Sequence, residues 1–141
     1  MSEGSGGGLA IGLTTEVSQT VTEERTARHL GSGSLRVFAT PSMVQFIEEN
    51  CHKLAARFLA PGKSTVGVSL QIQHLAPTPV GQHVTVRAEI TQLEGNLITF
   101  RAEVSDEAEV VGRAEHVRAI IDVERFLKRV EAKGRAASAQ A

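Results

Sequence analysis

Cysteine is nearly absent from this sequence. Cys51 stands alone, so neither an internal disulfide nor a zinc site built of thiolates is available. Aromatic residues are scarce, five Phe with no Trp or Tyr, which argues against the stacking platforms that bind single-stranded nucleic acid. Neither sign of charge is in excess. A net charge of -1 with 22% charged residues gives no reason to expect a nucleic-acid or anionic-membrane partner. No apolar run approaches the ~18 residues that a membrane helix needs. The stretch Met1 to Gly8 has one acid and no basic residue. It lacks the charged start of a signal peptide and reads as a flexible lead-in. These absences describe a soluble, cytoplasmic protein of 141 residues, one domain with room for a real core. They choose no function.

What is present is mostly strand. Leu13 to Glu23 is rich in Thr and Val behind Gly12, which favours a strand. His29 to Val37 holds a Gly/Ser loop with little to make it rigid, a connector or a lid. Thr40-Pro41 then supplies a helix start, a capping hydroxyl followed by proline at the first helical position. Met43, Val44, Ile47, Cys51, Leu54, Ala55, Phe58 and Leu59 share one arc at helical spacing, with Phe46 outside it, until Pro61-Gly62 ends the helix. From Lys63 onward the chain alternates. Val66, Val68, Leu70, Ile72 and His74 fall in one phase, then His83 to Leu93, Leu97 to Ser105 around the Gly95-Asn96 turn, and Val110 to Val123. A short charged helix from Glu124 fades into the tail. One long amphipathic helix with an antiparallel meander is an α+β two-layer arrangement. Residues 1–12 are expected to be lead-in, 13–130 the domain and 131–141 a flexible tail. The single helix covers one sheet face only, so the other face and the edges predict a dimer.

Three residues sit where pattern alone would place something duller. Glu48 falls on the buried side of the helix; it is either a boundary residue reaching solvent or a carboxylate positioned as a general base. His74 lies on the apolar phase of its strand, either as a satisfied core histidine or as a proton partner for Glu48. In the second case the neighbouring carboxylate would raise its pKa. Thr40 is a good helix cap, and a helix N-terminus also offers free N–H groups to a developing oxyanion. Cys51 reads as a small core residue. His29, His52, His83 and His116 form no spaced cluster with acids, so a metal site is rejected. Arg118 shares a phase with His116 and Ile120, as an ion-pair partner at the core edge or an anchor for an anionic ligand. There is no Walker motif, dinucleotide glycine fingerprint or G-x-S-x-G elbow.

These residues carry a resemblance. Val37-Phe-Ala-Thr-Pro-Ser-Met-Val-Gln-Phe-Ile-Glu-Glu-Asn-Cys51 resembles the start of the long helix in hot dog fold thioesterases, specifically the fluoroacetyl-CoA thioesterase-like group. Thr65-Val-Gly-Val, Gln73 to Gly81, Val84 to Glu89, Gly112 and Glu115 to Ile121 match further. The resemblance covers about Val37 to Phe126, extended by strand spacing to Leu13. It implies a hot dog fold, one long helix wrapped by an antiparallel sheet. It also implies acyl-CoA thioesterase activity with Thr40, Glu48 and His74 as the catalytic set and Val37, Gly67 and Arg118 at the substrate. It further implies a homodimer or higher oligomer with two interface sites, CoA only as part of the substrate, no cofactor and no metal. The group's namesake has phenylalanines in the lid, where this chain has Gly31-Ser-Gly-Ser-Leu35. A different small acyl group is therefore expected. The rival readings are a non-catalytic acyl-CoA-binding or sensing module and an enoyl-CoA hydratase of the same fold. The first has no need of Glu48 and His74, and the second usually sets an Asp and a His on one segment, a pattern not found here.

Overall fold

The computed structural model describes residues 8–140. Five antiparallel strands, β1 (Thr14–Thr20), β2 (Lys63–His74), β3 (His83–Glu94), β4 (Leu97–Ser105) and β5 (Val110–Asp122), form one sheet in the order β1-β3-β4-β5-β2. A 3-10 turn (Glu23–Arg25) and the one-turn helix α1 (Ala27–Leu30) precede the long helix α2 (Thr40–Ala56), and α3 (Val123–Gln140) closes the chain. This is the α+β arrangement expected from the sequence.

Helix α2 lies on one face of the sheet. It buries Met43, Phe46, Ile47, Asn50, Cys51, Leu54 and Ala55, a stripe at three- and four-residue spacing. The stripe packs on Val84, Val86, Ala88 and Ile90 of β3 and on Ile98, Phe100, Ala102 and Val104 of β4. Phe46, placed outside the arc by periodicity, is 2% exposed. It faces the β1 side of the core, so the stripe is wider than the sequence suggested. The helix ends at Ala56, with Arg57 at the cap position, so Phe58 and Leu59, expected on its arc, lie beyond it. The chain then turns into β2 at Gly62, whose φ of 84° lies in the left-handed region.

The strand phase breaks in β2. Gly67 pairs with Arg118 and Ser69 with Val117, so Val68 is the extra residue of a bulge. Cross-strand partners share a face. Thr65 and Gly67 therefore face α2 before the bulge, and Leu70, Ile72 and His74 face it after. Val66 and Val68 do not join them, and Val68 is 56% exposed. The uncovered outer face is laced with charge. Arg87 meets Glu16 at 2.9 Å, Arg113 meets Glu103 at 3.3 Å, and Arg101 stands opposite Glu115 in register. A face of this kind is at home in water, and β1 and β2 form the two edges of the sheet.

Both ends of the described chain carry defined structure. Residues 8–12 pack onto the domain, with Leu9 against the core and the Gly12 N–H donating to the Ile90 carbonyl at 2.8 Å. The rest of the expected lead-in lies outside the described residues. The expected tail from residue 131 continues α3 through Gln140. Its Ala and charged residues are good helix formers, and they override the single Gly134. Among the described residues no helix is long and apolar enough to cross a membrane.

Candidate active site

Helix α2 opens one residue earlier than its sequence signal. Ala39 is the cap position, with extended backbone and no side-chain cap bond, and Thr40 and Pro41 are the first two helical residues. The Thr40 hydroxyl is therefore not spent on capping. It meets His74 Nδ1 at 2.7 Å. The N–H of Met43 is taken by the Ala39 carbonyl, and Pro41 has none. That leaves the N–H groups of Thr40 and Ser42, at the positive end of the helix dipole, as the donors of this terminus.

His74 is the last residue of β2, opposite Gly112 of β5. The ring of Phe38 abuts it edge-on, with centroids 6.4 Å apart. Burial pulls the His74 pKa below its ordinary value, and among the described residues no carboxylate contacts the ring to raise it. This reverses the shift expected from pairing with Glu48. With Nδ1 bound to Thr40, Nε2 is buried and has no hydrogen-bond partner among the described residues. A buried polar atom without a partner is uncommon.

Glu48 sits elsewhere. Its carboxylate, 44% exposed, lies over Gly67 and 3.5 Å from Arg118 Nη1. A Cβ at Gly67 would come within 2.5 Å of Glu48 Oε2, so only glycine leaves the carboxylate this position. Arg118 is 7% exposed and held on three sides. Its Nε donates to Thr65 Oγ1 at 2.8 Å, its Nη2 to the Thr65 carbonyl at 3.1 Å and its Nη1 to His116 Nε2 at 3.1 Å. Burial lowers its pKa, yet a guanidinium starts so high that it stays charged. Cys51, one turn further along the helix, has its thiol pushed up to about 12 by burial and is no nucleophile.

The structure thus brings Thr40 to His74 and joins Glu48 to Gly67 and Arg118, but it keeps the two groups apart within one chain. Eight helical residues separate Thr40 from Glu48, about 12 Å of rise. Gly67 and His74 stand opposite Arg118 and Gly112, six strand steps apart once the bulge is discounted, roughly 20 Å. Val37 bridges Pro79 at the base of the loop before α2. That loop is better tied than its Gly/Ser content suggested. Arg28 N–H donates to the Leu35 carbonyl at 3.0 Å, Ala27 N–H to the Val37 carbonyl at 2.9 Å, and Arg36 is ion-paired with Glu23. Leu30 and Leu35 remain exposed beside it. Sequence reasoning missed His116 as a member of the Glu48 group. Its signal was the shared phase with Arg118 two residues on. A depression of about 420 Å³ on the outer sheet face, lined by Gln71, Gln73, Arg101, Glu103, Arg113 and Glu115, contains none of these residues. Among the described residues no three His, Cys, Asp or Glu side chains gather as a metal site would require.

The model of the fluoroacetyl-CoA-specific thioesterase family, FlK, matches residues 21–124. The fluoroacetyl-CoA thioesterase of Streptantibioticus cattleyicolor is 33% identical over 132 residues, covering 89% of this chain and 95% of that protein. A solved structure of the fluoroacetyl-CoA thioesterase FlK superposes with a TM-score of 0.83 at 32% identity, covering 89% of this chain and 98% of that one. A Thermus thermophilus hypothetical protein of the thioesterase superfamily gives 0.81 at 27% identity, covering 90% and 96%. A hot-dog-like protein from Thermanaerovibrio acidaminovorans, at 20% identity and a TM-score of 0.82 over 87% of this chain and 91% of that one, shares the fold. With its long helix laid on a five-stranded antiparallel sheet, the chain belongs to the fluoroacetyl-CoA-specific thioesterase family and has the hot dog fold.

Proposed function

We propose that this protein is an acyl-CoA thioesterase that hydrolyses a small acyl-CoA to a carboxylate and free CoA, using Thr40, Glu48 and His74. The observation that carries this reading is the setting of Glu48, a water-accessible carboxylate held over Gly67 by a buried arginine. A carboxylate in that place activates a water molecule for attack on the thioester carbon. The N–H groups at the start of α2 stabilise the oxyanion. The neutral His74, whose Nδ1 accepts from Thr40, donates a hydrogen bond from Nε2–H to the departing sulfur. The C–S bond breaks to release the thiolate, which takes up the proton that Glu48 removed from water. Val37, Gly67 and Arg118 line the acyl end. No metal or cofactor enters the scheme, and CoA takes part only as a portion of the substrate. The exposed Leu30 and Leu35 stand where the loop before α2 meets solvent. Together with the Gly/Ser loop tip they favour a small acyl group other than fluoroacetyl.

The separation of the two groups within one chain points to a composite site in a homodimer. The β2 edge is open, and two such edges pairing antiparallel about a two-fold axis keep the sum of partner numbers constant. An axis at Gln71 sets Leu70 opposite Ile72 of the other copy on the helix-facing side. The extra residue Val68 then shifts the count by one, so that His74 of one copy lies across from Gly67 of the other. Thr40 and His74 from one protomer then face Glu48 from its partner, with two sites per dimer. A cytoplasmic location is part of the reading, in keeping with a single, buried cysteine. The test is free-thiol release by the purified protein against short, branched, aromatic and halogenated acyl-CoAs. Turnover of a small acyl-CoA is expected. Tight acyl-CoA binding without thiol release would replace the reading with a non-catalytic binding or sensing module.

A further inference from the structure

His116 is 1% exposed and stacked on Phe100, at 6.1 Å between centroids and 28° between planes. Its Nδ1 lies 2.8 Å from the Ser69 carbonyl oxygen. A carbonyl only accepts, so Nδ1 carries the proton. Its Nε2 lies 3.1 Å from Arg118 Nη1, and a guanidinium only donates, so Nε2 presents its lone pair. These two contacts allow one protonation state, the neutral Nδ1–H tautomer. A proton on Nε2 would point N–H at N–H beside a fixed positive charge. The groups facing the ring divide. Burial against Phe100 of β4 and the charge of Arg118 on β5 favour the neutral ring. The Ser69 carbonyl of β2 and the Glu48 carboxylate of α2, 4.0 Å away, favour protonation. The nearer contact, Arg118 Nη1 at 3.1 Å, leaves no place for a proton on Nε2. Burial also holds the His116 pKa below its ordinary value, and Arg118 pulls the same way.

Arg118 in turn needs this acceptor. Nε and Nη2 are satisfied by Thr65, and Nη1 is shared between His116 and Glu48. Without Nε2 the buried Nη1 loses its short partner, leaving an unmet donor at the end of the guanidinium that holds Glu48. Glu48, close to half exposed, has no other partner among the described residues to fix its carboxylate.

We propose that His116 is a positioning residue of the thioesterase site: anchored on the Ser69 carbonyl, it accepts Arg118 Nη1 and so aims the guanidinium that holds the Glu48 carboxylate over Gly67. The proposal rests on the thioesterase reading only for its kinetic consequence, since the hydrogen-bonded chain Ser69–His116–Arg118–Glu48 stands on geometry. His116 touches no reacting atom and acts through Arg118.

Two variants and one spectrum test it on the full-length protein. His116→Phe keeps the ring and its stacking on Phe100 but offers no acceptor. His116→Gln restores an acceptor near the position of Nε2. The Phe variant is expected to lose roughly 10- to 10²-fold in kcat with KM little changed, the scale of a misplaced catalytic group. The Gln variant is expected to recover most of that loss. Equal kcat in the Phe variant and wild type would overturn the proposal, as would equal losses in the Phe and Gln variants at unchanged Tm. If His116→Phe does not fold, long-range ¹H–¹⁵N correlation on the wild-type protein decides. A neutral ring with Nδ1 protonated from pH 6 to 8 supports the chain of contacts, and the Nε2–H tautomer or an imidazolium at pH 7 overturns it. That spectrum needs no substrate. A failure of the positioning role is thereby distinct from a failure of the thioesterase reading, which shows as wild-type protein without thiol release.

Discussion

Substituting Gly67 by alanine separates the position of the Glu48 carboxylate from the stability of the fold. The added Cβ would lie 2.5 Å from Glu48 Oε2, whereas ordinary contact begins at 3.4 Å, so the oxygen must retreat by 0.9 Å (3.4 minus 2.5). The new Cβ would also lie 3.6 Å from Arg118 Nη1. Retreat of the oxygen directly away from that Cβ lengthens the 3.5 Å approach of Oε2 to Nη1 only to about 3.9 Å, which weakens the ion pair without breaking it. The movement is easy because the side chain is 44% exposed and opens toward solvent. The backbone does not resist either, since Gly67 is not among the glycines with positive φ and alanine suits its conformation. Loss of glycine's freedom in the unfolded chain then adds about 0.4–1 kcal/mol of stability, offset in part by the weakened ion pair. A displacement near 1 Å at a catalytic group costs roughly 10²-fold in rate. Gly67→Ala is therefore expected to melt at or slightly above the wild-type temperature while kcat falls by about two orders of magnitude. Paired thermal melts and thiol-release assays read both quantities. Wild-type kcat at wild-type Tm would refute the role given to the carboxylate's position.

Acid sensitivity follows from the two buried imidazoles. Burial sets the folded pKa values of His74 and His116 below the ~6.5 of a free imidazole, so on acidification the unfolded chain binds protons first. Their contribution is full above ~6.5 and is lost as the pH falls through the lower folded values, ahead of the carboxylates. Tm should be level from pH 7 to 8 and decline below ~6.5; a Tm that rises between pH 7.5 and 5.5 would contradict this. Thr40 and His74 should act as a unit. Thr40→Ala and His74→Ala each lower kcat, the second by roughly 10²-fold or more, and the double variant should be hardly worse than His74→Ala alone. Multiplying losses in that cycle would show that the 2.7 Å contact has no part in catalysis.

Much of the fold was open to sequence reading because periodicity reports burial. The stripe of α2 and the alternation of β3 and β4 both lie where their spacing put them. The bulge at Val68 was not open to it. Val66 and Val68 continue the apolar phase of Leu70 and Ile72, and only the pairing with β5 shifts it. The same shift brings Gly67 under Glu48, so the local surroundings of the carboxylate were hidden with it. His116 and Arg118 were visible as neighbours in phase, but their contact depends on Thr65 and Ser69 of another strand. Thr40 looked like a cap because hydroxyl-then-proline is a common helix start, and moving the cap to Ala39 frees the hydroxyl for His74. Placing Glu48 and His74 on facing elements was correct, while their distance along those elements does not follow from strand phase. No pattern within one chain states which copy would supply each half of the proposed shared site.

The most direct test of the composite site mixes two inactive proteins. Glu48→Gln and His74→Ala homodimers each lack one half of both sites and should release almost no thiol. After subunit exchange, a mixed dimer holds one site with both halves damaged and one with the intact His74 of the first chain facing the intact Glu48 of the second. Random mixing makes about half the dimers mixed, so activity should return to about a quarter of wild type. No recovery after exchange, verified by mass spectrometry of the mixed dimer, would contradict a site built from Thr40 and His74 of one protomer and Glu48 of the other.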